Sequence, residues 1–252
     1  MRIREYLSQQ SGVSISDLAK DFNVSEMTIR RDMAAMEGES DIQRTHGGAV
    51  LSQRMMLEFD YREKRAQNRE AKIAIAHEAR KLVKEGQRII LDTGTTTLEL
   101  ATLLRDAIDL TVITASLAVA SEPQHTEGVE VILLGGIIRR GSPDLTGPAT
   151  EHCLDLFAAD ILFQGADGIG HDGRIYNSDL RLARVDKQMR LVADRCYVLA
   201  DHTKIGRTSL ACSGSLKDVD MLITNEGVTR NVMRRFVKIG TKVIAVKTNL
   251  DQ

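Results

Sequence analysis

The sequence holds only three cysteines, Cys153, Cys196 and Cys212, scattered and without a CxxC pair. So few excludes a disulfide framework or a zinc knuckle; it suits a reducing cytosol, each thiol serving as a small core residue. No run approaches eighteen apolar residues, so no membrane-spanning helix is expected. The chain is polar from Met1 onward, so no secretory leader is expected either. Internal repeats and low-complexity tracts are missing. An excess of one charge is missing too: the formal net charge is −1. Overall electrostatics therefore give no case for nucleic acid, and such a function must rest on a motif or a local basic surface. His77, His125, His152, His171 and His202 show no HxH, HExxH or Cys partnership. No metal site and no cofactor are expected.

What is present is ordinary globular composition, 42% hydrophobic and 27% charged over 252 residues. That length suits one large domain, or a small domain beside one of usual size. The pattern changes character around residues 51–72. Before it, short helical patterns end in a Gly-Gly turn; after it, apolar runs alternate with amphipathic stretches, as in an α/β domain. The expected division is a small helical domain over 1–50, a linker over 51–66 and an α/β domain over 67–252, opening with a helix over 67–84.

In the first fifty residues, Ile3, Tyr6 and Leu7 mark one helix face. "SISDLAKDF" predicts a second helix capped by Ser14 or Ser16, with Leu18, Ala19 and Phe22 inward. "NVS" makes a tight turn, and Ser25 caps a third helix from Glu26 to about Met36. Ile29, Met33 and Met36 form its buried stripe, leaving Thr28, Arg30 and Arg31 at its sides. This is the pattern of a helix-turn-helix whose second helix enters the major groove. "DIQRTHGGAV" adds a two-stranded wing, with Ile42 to Thr45 and Ala49 to Leu51 about a Gly47-Gly48 turn. Arg44 and His46 on that wing are candidates for phosphate or minor-groove contact. An exposed Arg-Arg pair and a turn histidine are also common on solvated surfaces, so the combination carries more than any part.

In the remainder, "QRIILDTGTTTLELATLL" predicts a buried strand, a loop and a helix over Leu98 to Leu104. Ligands of open α/β sheets bind at that edge, where free backbone N–H groups favour an anion. Gly94 allows close approach, and Thr95, Thr96 and Thr97 add hydroxyl donors. Asp92 would repel phosphate, so it either accepts from a sugar hydroxyl or holds the loop. The competing reading is a threonine-rich helix cap with no ligand. Further strands, "LTVIT", "VEVILLGG", "ADILFQ", "CYVLAD", "DVDMLITN" and "TKVIAV", place polar loops on the same sheet edge. A helix runs from about Thr229 to Lys238. Lys204, then Arg139, are the candidate countercharges for a phosphate.

"VSEMTIRRDMAAM" followed by "IQRTHGGAV" resembles the signature of the DeoR family of bacterial sugar-metabolism regulators, and the resemblance runs from about residue 3 to 248. It implies a winged helix-turn-helix ahead of an α/β sensor domain resembling ribose-5-phosphate isomerase. It also implies a cytoplasmic homodimer or homotetramer that represses an operon by binding double-stranded DNA. Ser25, Thr28, Arg30, Arg31, Arg44 and His46 are the implied DNA-contacting set. The family's Asp-x-Gly-Thr-Thr, Leu-Gly-Gly and Asp-x-x-Lys-x-Gly segments are matched by Asp92, Gly94, Thr95, Thr96, Gly135, Gly136, Asp201, Lys204 and Gly206. A phosphorylated sugar or polyol effector is implied, and no membrane association.

Two departures stand out. Thr114-Ala115-Ser116 lacks the amide of the usual Thr-Asn segment. Leu182-Ala183-Arg184-Val185-Asp186 stands where Glu-Ala-x-Val-Lys is usual, with Asp179 as the nearest replacement carboxylate. Leu182 argues against retained isomerase catalysis. The alternative expectation is a sugar-phosphate isomerase carrying an accessory N-terminal domain, with Asp92, Asp179 and Asp201 available for proton transfer.

Overall fold

A computed structural model describes residues 13–37, 42–44, 48–51, 61, 63–122 and 127–248. The expected first helix (Ile3, Tyr6, Leu7), His46 with its glycine partner Gly47, and most of the expected linker lie outside the described residues. The chain divides into two compact units, Met1–Lys64 with Arg140–Ser142, and Arg65–Arg139 with Pro143–Gln252.

The small unit holds β1 (Val13–Ser14), α1 (Ile15–Asp21), α2 (Glu26–Glu37), β2 (Ile42–Arg44) and β3 (Gly48–Leu51). Ser14 caps α1 by accepting from the Asp17 amide at 3.1 Å. Ile15, Leu18 and Ala19, spaced three and four apart, turn the buried face inward. Asn23 takes φ 52° in the turn to α2, a conformation its short polar side chain tolerates. The wing is three-stranded: β3 pairs with β2 and also with β1, where the sequence predicted two strands. A two-residue strand such as β1 shows no alternation to read.

The large unit continues with β4 (Arg88–Leu91), β5 (Leu110–Thr114), β6 (Val129–Leu133), β7 (Ile137–Ile138) and β8 (Leu145–Thr146). Next come β9 (Ile161–Gln164), β10 (Gly168–Ile169), β11 (Arg174–Asn177) and β12 (Cys196–Leu199). Last are β13 (Ala211–Ser215), β14 (Met221–Asn225) and β15 (Lys242–Val246). Its helices are α3 (Arg69–Arg80), α4 (Thr95–Thr102), α5 (Leu117–Ser121), α6 (Pro148–Leu154), α7 (Leu180–Leu191) and α8 (Arg230–Ile239).

Seven strands form one parallel sheet in the order β15-β14-β12-β9-β4-β5-β6. β9, β12 and β14 are buried throughout, as strands covered on both faces must be. Ile90, Leu162, Val198, Leu222, Val185, Met189 and Phe236 belong to the core around them. From β4 the chain moves outward through β5 to β6; from β9 it moves the other way through β12 to β15. The strand order therefore reverses between β4 and β9.

Helix limits depart from expectation at both ends of α3 and of α4. α3 runs Arg69–Arg80 where 67–84 was expected, with Asn68 at a left-handed φ of 52° just ahead of it, and α4 ends at Thr102, before Leu104. α4 begins at Thr95, so the threonines that the sequence placed in a loop form the first helical turn. The antiparallel ladder β10-β11-β13, the β7–β8 pair and helices α6 and α7 were not anticipated. Among the described residues no helix is long and apolar enough to cross a membrane.

Candidate functional site

In the small unit, the Ser25 hydroxyl accepts from the Thr28 amide at 3.1 Å and lies 2.9 Å from the Thr28 hydroxyl. That cap starts α2 and fixes its rotation. Ile29 is buried, while Thr28, Arg30 and Arg31 are exposed on the helix's N-terminal half. Arg30 lies 3.6 Å from Glu26, one turn back, with both side chains about half exposed. Such a surface pair is worth at most about 1 kcal/mol, so it does not withhold Arg30 from a stronger anion. The Arg44 backbone pairs with Ala49 in the wing. The side chains of Arg44, Met33 and Met36 lie outside the described residues.

In the large unit, the strand order reverses between β4 and β9, and it is at the carboxyl ends of strands at such a reversal that α/β sheets bind ligands. Asp92 spans it. Its carboxylate accepts from the Gly94 amide at 2.8 Å and the Thr97 hydroxyl at 2.6 Å on the β4 side. It also accepts from the Gly165 amide at 2.5 Å, just past β9. Of the two roles expected for Asp92, holding the loop is the one these bonds describe. Burial raises its pKa to about 6 against those three hydrogen bonds, and the Asp144 charge adds to the rise. At Gly94 an added Cβ would stand 3.0 Å from the Asp92 carboxylate and 3.3 Å from the Thr97 hydroxyl, so a larger residue would crowd that pair. Thr97 is fully buried and turned back onto Asp92 and the Gly94 carbonyl, while Thr95 is half-buried and Thr96 buried at the start of α4.

A second buried polar group joins Asp92. Asp186, on α7, accepts from the Asn177 amide nitrogen at 2.7 Å. Its pKa rises to about 7, first through burial and then through the Asp92 charge, while Asn177, Arg190 and Gln164 act in the opposite direction. The Arg190 guanidinium donates to the Gln164 side-chain oxygen and to the Ser213 carbonyl. Asp144 is brought in by a bridge to Ser116 and binds Arg139 at 2.8 Å. Arg139, expected as a countercharge for phosphate, is thus already matched to a carboxylate.

The other expected residues are spread along the same edge. Asp179 caps α7 and holds Arg181 at 2.8 Å, which keeps its pKa below the usual carboxylate value. It is Asp186, two turns on, that reaches the buried cluster. Asp201 is almost fully buried after β12, accepting from the Thr203 amide at 3.0 Å and from Asn68 at 3.2 Å. Lys204 ends the short helical turn that follows, half-buried. β4 and β12 flank β9, so the strands that these loops leave stand about 10 Å apart. Gly136 takes φ 149°, and a Cβ there would meet the Thr150 hydroxyl at 2.0 Å, whereas one on Gly135 would meet open space.

Sequence reasoning missed Asp144, Gln164 and Arg190, and treated Asp186 only as a departure from a family pattern. The one available signal was Asp186 between the apolar Val185 and Met189 on what proves to be a helix. Asp144 carries no signal, since only the folded loop beside Ser116 brings it in.

Residues 1–55 match the model of a DeoR-like helix-turn-helix domain, and residues 67–226 that of a DeoR C-terminal sensor domain. The chain is 34% identical over 247 residues to a putative aga operon transcriptional repressor of Escherichia coli O157:H7, covering 97% of this chain and 92% of that one. It is 36% identical over 245 residues to the HTH-type transcriptional regulator YulB of Bacillus subtilis, covering 97% and 95%. With the glycerol-3-phosphate regulon repressor of Escherichia coli K12 it shares 30% over 232 residues, 92% of each. Among solved structures, ribose 5-phosphate isomerase A of Methanocaldococcus jannaschii aligns with TM-score 0.42 and 23% identity. That alignment spans 55% of each chain, about half the length of the isomerase.

Proposed function

The chain belongs to the DeoR family of transcriptional regulators, and from that premise we propose that it represses a sugar or polyol catabolic operon under control of a phosphorylated sugar or polyol. Domains over 1–50 and 67–252, joined by a linker over 51–66, divide the work between operator and effector. The observation carrying the DNA-binding half is α2, a capped helix after a tight turn, with Thr28, Arg30 and Arg31 exposed over buried Ile29. Ser25, Arg44 and His46 complete the operator-facing set, in a cytoplasmic homodimer or homotetramer.

The effector half rests on the reversal of strand order between β4 and β9. The phosphate lies on the amides that open α4, with the Thr95, Thr96 and Thr97 segment beside it and Lys204 as countercharge. Asp92 and Gly94 shape that loop, Gly135 and Gly136 border it, and Asp179 and Arg139 hold the flanking turns. Asp201 sets the turn that presents Lys204. The ligand acts through different affinities for two arrangements of the oligomer. The chain binds its ligand without turning it over, since the three donors on Asp92 hold that carboxylate in a structural role and position 182 is leucine. Turnover of pentose or hexose phosphates, lost in Asp201→Asn, would sink this last point.

A thermal-shift panel of sugar and polyol phosphates, each beside its unphosphorylated parent, tests the effector half. A ligand at a hundredfold excess over its dissociation constant adds about 2.7 kcal/mol, or about 5 to 10 °C for a chain of this size. A shift that needs the phosphate and disappears in Lys204→Ala supports the site. Shifts equal for phosphorylated and plain compounds count against it.

A further inference from the structure

Asn68 stands just ahead of α3, where an asparagine ordinarily caps the helix by accepting from one of its first amides. It does not do so here: Asn68 takes a left-handed φ of 52° and its side chain makes no capping bond. The side-chain nitrogen reaches instead to the far part of the chain, donating to Asp201 at 3.2 Å and to the Thr203 hydroxyl at 3.2 Å. The same Asp201 oxygen accepts from the Thr203 amide at 3.0 Å and the Thr203 hydroxyl at 2.5 Å. On its other side the turn is held by Asn225, whose side-chain oxygen accepts from the His202 amide at 2.7 Å. Asn68 is thus one of two asparagines that grip the turn carrying Lys204.

The next residue reaches α4. Arg69 Nε lies 3.7 Å from Glu99 Oε1, one helical turn beyond Thr95. The Glu99 side chain is 7% exposed, and its Oε1 is buried without a hydrogen bond. A buried carboxylate calls for a close partner, and this pair stands about 0.5 Å beyond the usual limit for an N–H···O bond. The body of α3 packs against α4 and β14. Two consecutive residues at its start therefore touch the two segments on which the phosphate site is built, the Lys204 turn and α4.

We infer that Asn68 and Arg69 are positioning residues that pass occupancy of the effector site to the first turn of α3, where the chain leads back toward the DNA-binding residues. This rests on the phosphate site at α4 and Lys204 and adds the route by which its state leaves it. A phosphate draws the Lys204 ammonium and the α4 amides toward itself. Each segment carries its tether along, so Arg69 closes on Glu99 while Asn68 follows Asp201 and Thr203. Both pulls fall on one helical turn, and they coincide only when a single ligand holds both segments.

Hydrogen exchange of the full chain, with and without glucose 6-phosphate, glycerol 3-phosphate or inorganic phosphate, tests the route. In the unaltered chain, a compound that slows exchange over 94–98 and 203–206 is expected to slow it at least about tenfold over 69–73 as well. Asn68→Gly keeps the left-handed backbone and removes the donor; Arg69→Met keeps the stem and removes the charge. In both, slowing at the site persists and slowing over 69–73 is lost, whereas Arg69→Lys retains it. Slowing at the site without any over 69–73 in the unaltered chain overturns the inference and leaves the phosphate site standing. The same holds if slowing over 69–73 survives both substitutions, or if both abolish slowing at the site itself. No slowing with any of the three compounds overturns the site and the inference together.

Discussion

At the scale of single residues, the interior of the large unit is organised by what Asp92 touches. The Thr97 hydroxyl has one proton and reaches both the Asp92 carboxylate and the Gly94 carbonyl. Thr97→Val keeps the shape and removes that donor, so stability falls by about 2 kcal/mol, the usual cost of a bond to a charged group. Denaturant unfolding followed by circular dichroism measures it; an unchanged midpoint would show that the hydroxyl does not hold the loop. The two raised carboxyls also set a pH dependence. Their unfolded value is near 3.8, against about 6 for Asp92 and about 7 for Asp186 in the fold. Between those limits the folded chain binds more protons than the unfolded one, so this pair makes stability fall as pH rises from about 4 to about 7. Asp186→Asn, neutral throughout, flattens that fall and raises the melting temperature more at pH near 8 than at pH near 5. An equal rise at both would deny the buried charge. From the sequence, Asp92 was legible because it stands at a strand end before Gly and Thr. Asp144 was not, because no local pattern announces a residue that matters only through a partner far along the chain.

At the scale of elements, the sequence was most legible where one element carries its own start signal. Ser25 followed by the Ile29 stripe places α2 to within a residue, and the alternation of apolar runs places all seven strands of the parallel sheet. Elements defined only by tertiary pairing stayed hidden, among them the two-residue strands and the β10-β11-β13 ladder. α7 was hidden for another reason: its exposed face is so charged that the buried positions Leu182, Val185, Asp186 and Met189 include an aspartate. The α2 cap is separable. Ser25→Ala is expected to cost about 1 kcal/mol by leaving the Thr28 amide without its acceptor. The loss belongs to the small unit, so hydrogen exchange should rise in α2 and stay unchanged in the parallel sheet. Faster exchange throughout the chain would contradict two separately stable units. The turn after β6 makes the complementary case. Gly136→Ala demands a left-handed φ of an L residue and places its Cβ against Thr150, whose hydroxyl donates to the Gly135 carbonyl. It is expected to loosen α6, and with it the border of the candidate site, and to weaken effector binding more than operator binding.

At the scale of the whole molecule, the weak point of a DNA-binding reading is charge. Residues 1–50 carry six Lys/Arg (Arg2, Arg4, Lys20, Arg30, Arg31, Arg44) against eight Asp/Glu, so one copy has little to offer a polyanion. Affinity for DNA comes largely from neutralising phosphates and releasing their counterions. Two copies on a two-fold operator double every contact, which is how helix-turn-helix proteins with modest surfaces bind. The consequence is measurable in salt. Each phosphate contact contributes about 0.9 to the slope of log affinity against log salt, so a substitution present in both copies removes about 1.8. Arg30→Ala and Arg31→Ala are therefore expected to weaken operator binding strongly while leaving the effector-induced thermal shift intact. If the lost arginine touched phosphate, the slope drops by about two and all sequences weaken alike. If it read a base edge, the slope holds and discrimination falls by about 1 to 3 kcal/mol at one position of each half-site. Retention of both affinity and slope in the two variants would remove α2 from the groove. Buried Ile29 would then serve packing alone, and the operator contacts would have to be sought on the wing.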